Sequence, residues 1–108
     1  MEDKIHIEYY ETDNGKCPYL DWEADLPREL RAQIRKRLNR IRLGNFGDFD
    51  HIEGSLYELR KRNHSGAGSP IYYGKKRNKI LILLCTGDKR SQKRDIERAK
   101  KYWLELGG

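Results

Sequence analysis

The run ILILLC, residues 80–85, carries no charged or hydroxylic side chain at any position. A strand with one wet face alternates in polarity, so a continuous apolar run needs cover on both faces and belongs at the centre of a sheet. It is far too short to cross a bilayer as a helix. A chain of 108 residues is one domain's worth, so a single domain spanning 1–108 must supply that cover from its own elements.

The rest of the chain supplies candidates. KIHIEYY alternates, with Ile5, Ile7 and Tyr9 on one face and His6, Glu8 and Tyr10 on the other, the period of a half-buried strand. After the turn TDNGK, Pro18 starts a short helix on which Tyr19, Trp22 and Leu26 share a face. Pro27 opens a longer helix in which Leu30, Ile34, Leu38 and Ile41 form the apolar stripe, and Gly44 stops it. Arg35, Arg37, Arg40 and Arg42 load its C-terminal half, where the helix dipole favours cations.

From position 48 the period changes to two through FDHI, SLYELRKR, IYYGKK and KILILLCT, read as three or four antiparallel strands. Pro70 is expected as the first residue of an edge-side strand, because proline cannot donate within a sheet. Ser91 can cap a final helix lined by Ile96, Ala99, Trp103 and Leu106 and ended by Gly107. The order is βαα, a β-meander, then α, an α+β domain.

Charge is unevenly spread behind the formal +6. Residues 1–26 hold eight acids against two lysines, leaving 21 basic and nine acidic side chains in the remainder. A polyanion is the natural partner of such a surface, because each neutralised phosphate releases counterions. The interval 59–87 has no acid and carries Arg60, Lys61, Arg62, Lys75, Lys76, Arg77 and Lys79. Strand alternation puts Arg60 and Arg62 on a face with Leu56 and Glu58, and Tyr57 and Leu59 on the other. Tyr72, Tyr73 and His64 offer aromatic surfaces beside those cations, a combination suited to single-stranded RNA. The expected RNA-binding cations are Lys61, Arg62, Lys75, Lys76, Arg77, Arg90 and Lys93.

RNA carries its own nucleophile, the 2′-hydroxyl. Cutting it without metal requires a base for that hydroxyl, cations for the charge growing on the phosphate, and an acid for the leaving 5′-oxygen. Arginine and lysine suit the second task, and His64, Tyr72 or Lys89 the others. His6, His51 and His64 lack metal-ligand spacing, and Cys17 and Cys85 stand apart with no CxxC, so no metal, cofactor or disulfide framework is expected. The GAG of residues 66–68 lacks the helix a phosphate loop needs, and there is no GxSxG elbow. The expected location is the cytoplasm.

Five stretches carry a family resemblance: GKCPYLDW at 15–22, GNFGD at 44–48, YELR at 57–60, IYYG at 71–74 and, most specifically, LLCTGDKRSQKRDIERAK at 83–100. Together they resemble the RelE/HigB-like addiction-module killer proteins, toxins of bacterial toxin–antitoxin modules, including the phage-derived branch. The resemblance implies a small antiparallel sheet flanked by helices in the order β-α-α-β-β-β(-β)-α. It also implies a metal-independent mRNA endoribonuclease acting on ribosome-bound message, and a cognate antitoxin of helix-turn-helix type. Carried over by position, Arg60 matches the ELR arginine, Lys89 and Gln92 match the polar pair of the GDKxSQ block, and Asp88 and Asp95 match its acids. With Tyr72 and His64, the expected catalytic set is Arg60, Lys89, Tyr72, His64 and Gln92.

The chain departs from the pattern at GSPIYYG, where related chains carry a GYRVYF-like segment, so Pro70 occupies the position of an expected phosphate-stabilising arginine. Arg62, His64 or Lys75 would have to take its place. The readings left open are an active nuclease, a weakened relative that binds antitoxin or ribosome without cutting, and a ParE-type gyrase inhibitor.

Overall fold

The computed structural model describes residues 5–45, 49–59, 70–77, 80–87 and 92–107. Its elements are β1 (His6–Tyr9), α1 (Pro18–Ala24), α2 (Arg28–Arg42), β2 (Phe49–Glu53), β3 (Leu56–Leu59), β4 (Ile71–Lys76), β5 (Ile80–Thr86) and α3 (Gln92–Glu105). The fold class is α+β, as read from the sequence. One five-stranded sheet has the order β1-β5-β4-β3-β2. After β1 the chain crosses to the far edge and returns as the meander β2 to β5. Three reversals bring β5 back beside β1 in the same direction, so the sheet is mixed rather than wholly antiparallel.

Both faces of the interior strands β4 and β5 are covered. Tyr19 of α1 and Ile34, Leu38 and Ile41 of α2 pack with Ile7, Leu59, Ile71, Tyr73 and Leu83. On the opposite face, Ala99 and Trp103 of α3 pack with Tyr10, Leu56, Tyr72, Ile82, Leu84 and Cys85. The ILILLC segment is therefore an interior strand, with Ile82 to Cys85 buried on its two faces, but it stands one place from the middle. The middle strand is β4. Pro70 thus precedes a central strand rather than an edge strand, and it is tolerated because it lies just outside the ladder, where its carbonyl accepts from Gly87 and no N–H is called for by the strand pairing.

Local chemistry sets the helix ends. Gly44 adopts φ 94°, its N–H bonds the Ile41 carbonyl at 2.8 Å, and the Asn45 N–H reaches the Arg40 carbonyl at 2.9 Å, a Schellman closure of α2. Arg31 of α2 fastens the end of α1, with Nη2 donating to the Ala24 and Leu26 carbonyls at 3.0 Å each. The Glu23 carboxylate, almost fully enclosed, accepts from the Tyr19 hydroxyl at 2.7 Å and from Arg35 Nε and Nη2 at 3.0 and 2.9 Å. A buried carboxylate with a cation and a hydroxyl on it joins the two helices into one unit.

Candidate functional site

The block TGDKRSQKRD begins at the end of β5 and runs into α3, and the structure makes an elbow of its two ends. Along β5, Cys85 pairs with Tyr72 and Leu83 with Tyr73, so a bulge at Leu84 turns Leu84 and Cys85 both toward α3. Gly87 follows, donating its N–H to the Pro70 carbonyl at 3.2 Å. A β-carbon on Gly87 would collide with the Asp95 carboxylate, so only glycine lets β5 and α3 approach this closely. Asp95 sits in the first turn of α3, where the helix dipole favours an anion. One turn on, Arg98 Nη2 donates to the Thr86 carbonyl at 2.8 Å and lies 3.5 Å from Asp95 Oδ1.

Inside this elbow lies a polar set that the apolar core does not explain. Glu58 of β3, Tyr72, Thr86 and Asp95 are all enclosed, and Glu58 pairs directly across the ladder from Tyr72. The Tyr72 ring is 0% exposed. Burial, then the charges of Glu58 and Asp95, push its hydroxyl well above the usual tyrosine range, so it remains a neutral O–H donor. It has no hydrogen-bond partner among the described residues. Burial likewise pushes the Cys85 thiol up to about 11.

The ladder registers Leu59 against Ile71 and Ile71 against Thr86. The chain between Leu59 and Pro70, and that between Gly87 and Gln92, therefore start and finish at one end of the sheet. Those two segments carry Arg60, Lys61, Arg62, His64, Asp88, Lys89, Arg90 and Ser91, which lie outside the described residues. Gln92 opens α3, and Lys93 is exposed beside it. Lys75, Lys76 and Arg77 stand elsewhere, at the opposite end of β4, roughly 17 Å away by strand rise. Lys75, Lys76 and Arg77 thus do not share the end of the sheet from which those two segments leave.

The two strand tyrosines do not form an exposed aromatic surface. Being adjacent, Tyr72 and Tyr73 point to opposite faces of the middle strand, and both faces are covered; Tyr73 is 1% exposed. Exposed rings occur instead at the β2–β3 edge, on the α2 side. Tyr57 stacks on Tyr73 with centroids 5.6 Å apart and an interplanar angle of 17°. His51 lies 5.1 Å and Phe49 6.0 Å from Tyr57, and Lys75 Nζ stands 5.0 Å above the Tyr57 ring. Phe49 is 46% exposed. The sequence signal was present in the parity of FDHI and SLYEL, but the hairpin register was needed to bring the rings together.

Among the described residues no group of three His, Cys, Asp or Glu side chains could hold a metal ion, and no helix is long and apolar enough to cross a membrane. The family described as "Phage derived protein Gp49-like (DUF891)" matches residues 21–103, which include both the elbow and the aromatic edge. A protein of Haemophilus influenzae, described as "Uncharacterized protein", is 39% identical over 77 residues, 71% of this chain and 76% of that one.

Proposed function

The chain belongs to the Gp49-like family of phage-derived proteins, and from that premise we propose that it is the toxin of a type II toxin–antitoxin module, a metal-independent endoribonuclease acting on ribosome-bound mRNA. Its partner in this reading is a cognate antitoxin of helix-turn-helix type. The observation that carries the reading is the convergence at the elbow. The segment with Arg60 and His64 and the segment with Lys89 are both anchored where Pro70 bonds Gly87 and Asp95 closes on Gly87.

In this reading Arg60 and Lys89 hold the charge that grows on the phosphate as the 2′-oxygen attacks. His64 exchanges protons with the attacking or leaving oxygen, and Gln92 orients the phosphate from the start of α3. Tyr72 acts from within, as a neutral donor under the elbow, and Lys61, Arg62, Arg90 and Lys93 track the backbone with Lys75, Lys76 and Arg77 farther along.

Mapping of mRNA ends after induction tests the assignment. New 5′ ends on messages are expected with the parent chain, and their loss with Arg60→Ala and Lys89→Ala. Ends absent from the parent and from Pro70→Arg alike would sink it. Pro70 itself favours a second reading, a weakened toxin that binds without cutting, in which only the Pro70→Arg chain produces ends.

A further inference from the structure

We propose that the open end of the cross-strand aromatic row, Phe49, His51 and Tyr57 with Lys75 over the Tyr57 ring, is a stacking platform for unpaired RNA bases. The inference rests on the reading of the chain as an RNA-directed protein and adds where the strand is held across the sheet from the elbow, at the β2–β3 edge.

The row follows from the register. His51 pairs with Tyr57, Tyr57 with Tyr73 and Tyr73 with Leu83, all on the α2 side of the sheet. The helix layer encloses Tyr73, while Tyr57 is half-buried, His51 exposed and Phe49 46% exposed. The rings are held in place without a ligand. The Tyr57–Tyr73 stack is close to parallel, and His51 Nε2–H donates to the Gly54 carbonyl at 2.7 Å. A fixed ring beside solvent offers a π-face at little entropic cost, which is how proteins hold single strands without reading their sequence.

Charge selects the occupant. The acids of β2 belong to other partners or faces: Asp50 alternates away from Phe49 and His51, and Glu53 meets Lys100 of α3 at 3.4 Å. On the platform side Lys75 stands over the Tyr57 ring, with Lys76 and Arg77 following it in the chain. Protein interfaces are depleted in lysine, whereas a lysine over an aromatic ring supplies phosphate and base contacts together.

The test is fluorescence anisotropy with labelled single-stranded 2′-O-methyl oligouridylate, which lacks the nucleophile and so keeps cleavage out of the readout. An abasic oligomer with the same number of phosphates is the comparison. Phe49→Ala and Tyr57→Leu are expected to weaken binding of the base-bearing strand about fivefold or more and to leave the abasic strand unchanged. Lys75→Ala should weaken both. Phe49 is exposed enough for its truncation to leave the fold standing, which the urea midpoint checks. Equal binding of the two oligomers by the parent, or variants that bind like the parent, would overturn the platform. So would loss of self-association by Phe49→Ala in sedimentation with oligomer binding unchanged, which would mark a protein interface. Message cleavage is scored separately: its absence beside base-dependent binding overturns the nuclease reading alone, and its presence beside base-independent binding overturns the platform alone.

Discussion

The Asp95 carboxylate lies against the backbone of Gly87 so closely that no β-carbon fits between them. The β5-to-α3 junction is therefore a fixed bend, and whatever the intervening residues do, they do it from two ends that cannot drift apart.

Gly87→Ala should cost roughly 1–3 kcal/mol, the usual penalty of overpacking, because Asp95 is enclosed and has little room to yield. Urea denaturation measures it. A loss under about 0.5 kcal/mol, the size of an ordinary surface change, would show the elbow to be soft.

Gly74 sits beneath the Trp103 ring with the same lack of space. Gly74→Ala alone and Trp103→Leu alone should each destabilise the fold. The double variant should lose less than the two losses added, by about 0.5–3 kcal/mol, because the smaller side chain makes room for the added methyl. Strict additivity in a double-mutant cycle would contradict the contact.

The buried thiol predicts how stability varies with pH. Cys85 is pushed up to about 11 by burial, whereas an unfolded thiol titrates near ~8.5. Between those values the folded chain keeps a proton that the unfolded chain has released, so stability is fully present below that window and falls as pH rises through it. The loss should reach about 2–3 kcal/mol by pH 11. Tyr19, Tyr72 and Tyr73, also raised by burial, act in the same direction. At pH 8 the half-exposed Cys17 should react with a thiol reagent while Cys85 reacts only in denaturant. A flat stability profile from pH 8.5 to 11 would refute this.

Pro70→Arg should be nearly neutral for folding, costing about 0.4–1 kcal/mol through the freer unfolded chain, because the carbonyl that accepts from Gly87 is kept by arginine. If an arginine here stabilises the transition state, message cleavage should rise about tenfold or more, within the range for a charged donor. Quantified end-mapping beside a thermal melt reads both. Unchanged cleavage in a well-folded variant would remove Pro70 as the cause of attenuation.

Much of the architecture was legible because burial writes itself into periodicity. The stripe Ile34, Leu38 and Ile41, the alternation Ile5, Ile7 and Tyr9, and the solid run at 80–85 each name their own cover. Sheet order was harder to read. Nothing local in IYYG says that β4 takes the middle place, and so Tyr72 and Tyr73 read as surface rings though both faces above them are covered. The bulge at Leu84 and the parallel docking of β1 are tertiary choices with no signature of their own. At the site, the GDKxSQ block pointed to the elbow, whereas the Phe49–Tyr57 edge depends on a hairpin register that the sequence does not display.

The parallel pairing of β1 with β5 has a kinetic consequence. The meander β2 to β5 pairs strands that follow one another in the chain, but β1 finds its place only when positions 6–9 meet positions 80–83, with α1 and α2 part of the chain between them. Loop-closure entropy makes such a contact late and slow. Of the described strands β1 is thus expected to be the last to join the sheet, its docking sealing the helix pair over the apolar face in the same event.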